Sequence, residues 1–178
     1  TCQMESPFIL PKLSKDSLGQ PVRPLKLAFS TVSPIGGKVS ESAIAATKKA
    51  ARALENLGHH VHEITHQPLN GVEAMQSYYI MNSVETAAMF DGIEAGLGRQ
   101  MTLEDMELMT WAIFQSGQKI PAKVYSKALT QWDQYSHQMA NFHESYDILL
   151  TPTVADVAPK HGQFALSESL QNQLKHMS

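Results

Sequence analysis

The sequence predicts an α/β protein with a partial parallel or mixed sheet and several helices flanking it. An alternating stretch at 25–29 is followed by an amphipathic stretch at 40–57 and a second strand-like stretch at 60–64. Strand, helix and strand within about 40 residues form a right-handed βαβ unit, the usual connection between parallel strands. A third short apolar run, at 148–150, predicts one more strand.

The first strand is predicted at 25–29, where apolar residues alternate with small or polar ones. Residues 33–37, Ser-Pro-Ile-Gly-Gly, then supply the chemistry of a turn. The following helix has Ser40 as its expected N-cap and Gly58 as its expected C-cap. Its apolar stripe consists of Ile44, Thr47, Ala51, Leu54 and Leu57.

The stretch at 72–95 is apolar around most of its helical circumference, which is typical of a helix packed on several sides. We therefore expect this helix to be largely buried and to end at Gly96 and Gly98. Residues 102–105, Thr-Leu-Glu-Asp, resemble a capping box and predict a helix that runs from there to Gly117.

Pro121 suits the first position of the next helix. An apolar seam at 3.5-residue spacing follows, formed by Tyr125, Ala128, Trp132, Tyr135, Met139, Phe142 and Tyr146. We divide the chain into a proline-rich linker or extended lead-in at 1–24, an α/β domain at 25–156 and a polar tail at 157–178. The tail is expected to be partly helical or disordered.

Composition excludes several classes of protein. The net charge of −3 provides no basic surface for nucleic acid, and no apolar run is long enough to span a membrane. The single Cys2 cannot form an internal disulfide, so we expect a cytoplasmic location. Because Thr1 opens the chain and no signal peptide follows, we expect an excised piece of a longer protein.

The sequence gives little support for a functional site away from the carboxyl edge of the predicted sheet. His59, His60, His62 and His66 suggest a metal site, but a solvated His-rich strand is the stronger interpretation, and we expect no metal or other cofactor. Cys2 lies in a proline-rich terminus with no rigid element to hold it near a base. Asp133 and His137 form a pair four residues apart on a helix, without a nucleophile. Neither glycine-rich nucleotide motif is present.

The best location for a site is the carboxyl end of the predicted sheet. The loop at 33–36 and the segment Thr151-Pro152-Thr153 both follow predicted parallel strands, where open α/β sheets place their ligand clefts. The simpler alternative is that proline and glycine merely turn the chain there. Trp111 is either a core residue or an apolar wall of the same cleft.

Several segments in this order resemble the amidase-signature family, particularly the branch that includes 6-aminohexanoate-cyclic-dimer hydrolases. They are the strand and Ser-Pro-Ile-Gly loop at 25–36, the helix that runs into Leu-Gly-His-His-Val-His-Glu at 57–63, and Asp-Ile-Leu-Leu-Thr-Pro-Thr at 147–153. Glu-Thr-Ala-Ala-Met at 85–89 and the stretch at 98–111 resemble the family in order and spacing. The resemblance covers residues 22–156.

The resemblance implies an enzyme that hydrolyses carboxylic amides through a Ser, cis-Ser, Lys triad in a glycine- and serine-rich region. This chain contains no Ser-Ser-Gly or Gly-Gly-Ser sequence, so the triad cannot be mapped onto it. The implied chain is the C-terminal part of an amidase, inactive alone, which supplies scaffold and pocket wall through Ser33, Trp111, Thr151, Pro152 and Thr153. Its implied partner is a small amide substrate of the parent enzyme.

Two further expectations remain open. If much of a larger protein is missing, apolar surface on the methionine-rich helices should be exposed and should promote self-association. The alternative function is a non-catalytic α/β module that binds a small ligand or a partner chain in the same cleft.

Overall fold

A computed structural model describes residues 23–176 of the chain. Cys2 and nearly all of the lead-in predicted at 1–24 lie outside the described residues, as do 177–178. The described elements are β1 (Lys26–Phe29), α1 (Glu41–Asn56), β2 (His60–Glu63), α2 (Gly71–Leu97), a 3₁₀ turn (Leu103–Asp105), α3 (Leu108–Lys119), α4 (Ala122–His143), β3 (Ile148–Leu150) and α5 (Glu168–Lys175).

The three strands form one parallel sheet in the order β2-β1-β3. Leu27 of β1 lies opposite Val61 on one side and Ile148 on the other. Leu27 and Ala28 are almost completely buried, because β1 is the central strand. The predicted α/β class with its βαβ unit is confirmed, and the sheet is parallel throughout the described strands.

A charged cluster fixes the start of the sheet. The Asp147 carboxylate, just before β3, accepts hydrogen bonds from the Arg23 guanidinium, with Arg23 Nη2 2.5 Å from Asp147 Oδ1, and from the Lys26 backbone N–H at 2.8 Å. On the other side of β1, the Leu25 N–H donates to His59 Nδ1 at 3.2 Å. These contacts tie the first residues of β1 to both neighbouring strands.

Helix α1 begins and ends as its sequence predicts. The Ser40 hydroxyl accepts from the Ala43 N–H at 3.3 Å, the usual N-cap contact. Gly58 has φ +90° directly after the last turn, a conformation that glycine adopts without steric cost. Thr47 and Ala51 are buried beneath the helix.

A helical layer forms the second core. Phe90 of α2 and Phe114 of α3 meet edge to face with ring centroids 5.2 Å apart, and Met101, Met106 and Trp111 pack around them. The two helices approach closely at Gly117, where an added Cβ would overlap the backbone carbonyl group of Ser83. Glycine is therefore required at this helix crossing.

The structure corrects the predicted start of α3. The Thr102 N–H donates to Asp105 Oδ2 at 2.8 Å, as a capping box predicts, but the turn ends at Met106, which is extended with φ −153°. The α-helix begins only at Leu108. The extended backbone places the Met106 side chain against the aromatic core, and burial of that side chain outweighs continuation of the helix.

The expectation that α2 is largely buried is wrong for the described chain. Its side chains at Met75, Tyr79 and Met89 are 51%, 49% and 57% exposed. The buried residues of α2 lie toward α3 and α4, except Gly71, which lies against Pro34, and the two helices cover only one side of α2. The seam of α4 is likewise partly covered, since Tyr135 is buried while Trp132 is 41% exposed.

The described residues of the segment predicted as a tail, 157–176, contain one short helix, α5. The Ser167 hydroxyl caps α5 by accepting from the Leu170 N–H at 3.3 Å. None of the described residues of α5 is buried. Within residues 23–176, the helices are all too short or too polar to cross a bilayer.

Candidate functional site

A cavity of about 270 Å³ lies at the carboxyl edge of the sheet, where the loops after all three strands meet. The loop after β1 contributes one wall, the segment after β3 contributes the opposite wall, and one residue comes from the loop after β2. The lining residues are Val32, Ser33, Pro34, Ile35, Val39, Gln67, Thr151, Pro152, Thr153, Val154 and Ala155. Open α/β sheets bind their ligands at this edge.

Ser33 holds the loop after β1 in shape. Its hydroxyl oxygen accepts hydrogen bonds from the Ile35 N–H at 3.3 Å and the Gly37 N–H at 3.1 Å. Gly36 turns the chain with φ +75°, and its N–H donates to the Ser33 carbonyl at 3.2 Å. The Ser33 oxygen is thus an acceptor for its own loop, and its O–H proton remains available to a ligand in the cavity.

Gln67 connects the loop after β2 to the end of β1. Its Nε2 donates to the Ser30 hydroxyl at 3.2 Å and to the Val32 backbone carbonyl. Because a carbonyl can only accept, the contact with Val32 fixes which end of the amide is nitrogen. No hydrogen bond joins Gln67 Oε1 to another described residue, so this oxygen is an available acceptor beside the cavity.

Two contacts fix the walls relative to each other. The Ser40 N–H, at the start of α1, donates to the Ala155 carbonyl at 2.8 Å. Pro34 packs against the first residue of α2, where a Cβ added to Gly71 would overlap the Pro34 backbone. The cavity is therefore held between the first residues of two helices and the ends of two strands.

A second cavity of about 400 Å³ adjoins the first on the side of α1. Residues Thr151–Val154 line both, so the segment after β3 forms the partition between them. The opposite side is a face of α1 with small side chains, including Ala43, Ala46 and Ala50. Among the described residues that line this second cavity, Asp156 is the one that is ionisable.

None of the described residues that line the smaller cavity has an ionisable side chain. Hydroxyls, one side-chain amide and apolar groups form its surface, which suits a neutral ligand that both donates and accepts hydrogen bonds. Nucleophilic or general acid–base chemistry needs a base within hydrogen-bonding reach of the reacting group. These walls can bind and orient a molecule, and they contain no group suited to move its protons.

The strongly perturbed ionisable groups of the described chain lie elsewhere. The guanidinium of Arg99 holds the pKa of the Asp105 carboxyl well below its usual range, and a hydrogen bond to Glu85 raises the pKa of Tyr125. The hydrogen bond from Arg23, followed by that from the Lys26 backbone, lowers the pKa of Asp147 to about 2. Asp105 and Asp147 stabilise a turn and the start of a strand, and the hydrogen bond between Tyr125 and Glu85 joins α4 to α2.

Ser33, Thr151, Pro152 and Thr153, which the sequence singled out, meet in the smaller cavity. Trp111 lies in the helical core instead, with its ring 5.7 Å from that of Phe114 and its indole N–H buried without a partner among the described residues. Sequence reasoning missed Gln67. The residue pair Gln67-Pro68 follows a strand, which is the one local feature that could have directed attention to it.

The histidines near β2 have separate environments. His59 accepts a backbone hydrogen bond, while the ring of His62 packs edge-on against Tyr146 at 6.1 Å. Within the part of the chain that the structure describes, no three His, Cys, Asp or Glu residues are placed to hold a metal ion. Asp133 and His137 lie 3.6 Å apart on the exposed face of α4, as a helix-surface pair.

A parallel sheet flanked by helices, with a neutral cleft at its carboxyl edge, defines the class of structure, an α/β unit. Comparison with known families then identifies it. The Amidase family model matches residues 6–177, and the chain therefore belongs to the amidase family. The family expected from the sequence is confirmed.

The curated relatives are much longer than this chain. Lipoamidase of Enterococcus faecalis is 34% identical over 133 residues, which is 75% of this chain and 18% of that protein. The 6-aminohexanoate-cyclic-dimer hydrolase of Pseudomonas sp. (strain NK87) is 23% identical over 85% of this chain and 31% of that protein. The chain thus spans less than a third of the length of these relatives.

Solved structures share the fold. The 6-aminohexanoate cyclic dimer hydrolase complexed with substrate superposes with a TM-score of 0.74 at 23% identity, covering 82% of this chain and 31% of that one. A second structure of 6-aminohexanoate cyclic dimer hydrolase gives a TM-score of 0.73. The described unit is therefore a recognisable part of the fold of that hydrolase.

Proposed function

We propose that this chain is part of an amide hydrolase, in which it supplies scaffold and one wall of the substrate pocket. Membership of the amidase family supports the reaction class. The proposed role as a pocket wall is supported by the neutral cavity of about 270 Å³ between Ser33, Gln67 and Thr151–Thr153. We also place the protein in the cytoplasm, in keeping with its single Cys2.

The substrate proposed for this pocket is a small neutral amide. An amide offers one N–H donor and one carbonyl acceptor, and the lining offers the complementary groups. Gln67 Oε1 would accept from the amide N–H, while the hydroxyls of Ser33 and Thr153 would donate to its carbonyl oxygen. A charged substrate group would lose hydration at this wall without gaining an opposite charge.

The catalytic step is assigned to residues outside this chain. Because none of the cavity-lining residues that the structure describes is a base, we propose that the Ser nucleophile, the cis-Ser and the Lys belong to another part of the amidase domain. The described wall would then hold the substrate in the orientation required for attack on its carbonyl carbon. The 178-residue chain alone should release no amine or ammonia from amides.

The test uses a chimera in which this chain replaces the aligned segment of Enterococcus faecalis lipoamidase. Amide hydrolysis is measured for the chimera and for Thr153→Val, which removes a cavity hydroxyl at constant volume. We expect KM to rise about tenfold in the variant, as the loss of a hydrogen bond worth about 1.4 kcal/mol would produce.

A matched control is Thr130→Val on α4, where the hydroxyl donates to the Ser126 carbonyl at 3.1 Å within its own helix. This variant should keep the KM of the chimera. An unchanged KM for Thr153→Val would show that the cleft is not part of the substrate pocket. Hydrolysis of an amide by the isolated 178-residue chain would contradict the assignment of catalysis to another region.

A further inference from the structure

We propose that the outward surface of α2 is an internal interface, covered in the complete protein by an apolar surface from the part of the amidase domain outside this chain. This inference rests on the proposed function, because it requires the chain to act within a longer amidase. It specifies which side of the described unit faces the rest of the enzyme.

The surface in question, called here the outer face of α2, is a continuous stripe of the helix. Its apolar members recur at the spacing of one helical face. They are Met75, Tyr79, Met89, Ile93 and Leu97, which are 51%, 49%, 57%, 38% and 54% exposed. A surface of large exposed apolar side chains with this continuity marks an interaction site.

The stripe contains no charged residue along its length. Its two remaining positions, Asn82 and Thr86, are neutral. The outer surface of α1 differs sharply, since Lys48, Lys49 and Arg52 there are polar and at least partly accessible. The contrast indicates that α1 faces solvent in the complete protein and that α2 does not.

The length of the relatives indicates what covers α2. The same fold occurs in the solved hydrolase as 31% of a much longer chain, so most of that molecule lies beyond the described unit. A helix with large apolar side chains on its outer side as well as on its packed side is typical of the interior of a larger domain. Helix α2 has 27 residues, about 40 Å at 1.5 Å per residue, which matches an internal helix of such a domain.

A second copy of this chain is a less suitable occupant. Helix α2 carries Glu73, Glu85, Asp91 and Glu94 but no Lys or Arg. Of these, only Glu85 and Glu94 border the stripe, three or four positions from its members, and two α2 helices packed through it would bring those carboxylates together without a cation on either helix. An apolar surface contributed by the rest of the amidase domain covers the same stripe without pairing these carboxylates with their own copies.

The test is thiol labelling in the lipoamidase chimera, with Cys2→Ser as background. Met89→Cys places a thiol on the outer face of α2, and Arg52→Cys places a matched exposed thiol on α1. Maleimide labelling at each position is quantified by peptide mass spectrometry in the chimera and in the isolated 178-residue chain. We expect Met89→Cys to be labelled at least about tenfold more slowly in the chimera, because burial makes labelling depend on local opening.

Arg52→Cys should be labelled at the same rate in both proteins. Equal labelling of Met89→Cys in both would overturn the inference. Amide hydrolysis by the chimera separates the two proposals: activity without protection removes the interface alone, and protection without activity removes the proposed function alone.

A second measurement keeps the inference testable if the chimera does not fold. The isolated chain should bind a hydrophobic dye and sediment as a mixture of associated species at high concentration. Met89→Lys combined with Ile93→Lys should abolish both effects without changing the far-ultraviolet circular dichroism, whereas Arg52→Glu should not. A monomer that binds no dye before any substitution would show that this face is not an interface.

Discussion

Ser33 and Gln67, two polar side chains at the cleft, make structural hydrogen bonds that their local sequence does not predict. Ser33 was predicted as a pocket residue, and it lines the cavity while also capping its own loop. Gln67 reaches Ser30 and Val32 across 37 and 35 positions of the chain. A contact over that distance leaves no periodic or local pattern, so sequence reasoning had no means of finding it.

Loss of the Gln67 amide should destabilise the end of β1. In Gln67→Leu, the Ser30 hydroxyl and the Val32 carbonyl each lose a donor, at about 0.5–1.5 kcal/mol per hydrogen bond. We expect the free energy of unfolding in urea to fall by about 1–3 kcal/mol. Gln134→Leu, at an exposed position of α4, is the control and should change it by less than about 0.5 kcal/mol.

Asp147 should make stability depend on pH in the acid range. Its pKa in the folded protein is about 2, below the ordinary value, because Arg23 and the Lys26 N–H bind the ionised carboxylate. The stabilisation is therefore complete above about pH 4 and is lost as the pH falls through about 2. Thermal melts of the wild type and Asp147→Asn should differ at pH 6 and converge toward pH 2.

Asp91→Asn, at an exposed position of α2, serves as a control with the same change of charge. Its melting temperature should follow that of the wild type at each pH. A difference between wild type and Asp147→Asn that stays constant from pH 6 to pH 2 would argue against the ion pair as the cause.

At the scale of the elements, local sequence and tertiary packing agree for some helices and conflict for others. Ser40 and Gly58 bound α1 where propensity and capping predict them. The segment before α3 forms its capping box and then departs from helix, because Met106 is drawn into the core around Phe114. A capping motif involves residues close in sequence and can be predicted from it, whereas burial of a side chain in the core depends on residues distant in sequence.

Two glycine substitutions in the helical layer should have opposite effects. In Gly117→Ala the new Cβ would overlap the Ser83 carbonyl, so α2 and α3 must separate at a cost of about 1–3 kcal/mol. Gly92→Ala meets no atom within 4 Å and should stabilise α2 by about 0.5–1 kcal/mol. Urea unfolding of both variants provides the comparison, and a neutral Gly117→Ala would contradict the close helix approach.

At the scale of the whole molecule, stability should be unevenly distributed. The β1 amides lie between two strands, and Leu27 and Ala28 are 1% and 0% exposed. Helix α5 is eight residues long and has no buried residue. Hydrogen exchange followed by mass spectrometry should show the slowest exchange in β1 and the fastest helical exchange in α5. Local opening of α5 exposes little buried surface and therefore costs the least free energy. Equal protection of α5 and β1 would disprove this ordering.

The sequence alone determined the family, the βαβ unit and the edge of the sheet where a cleft would lie. These features depend on short-range patterns: strand alternation, caps, and turns such as Ser33-Pro34-Ile35-Gly36 and Thr151-Pro152-Thr153. Tertiary structure alone decided three other features. The two turns meet beside Gln67, Trp111 packs in the helical core, and one side of α2 is exposed. The physical reason is that hydrophobic periodicity predicts which face of a helix or strand is buried, whereas the packing of the whole fold determines which residues cover that face.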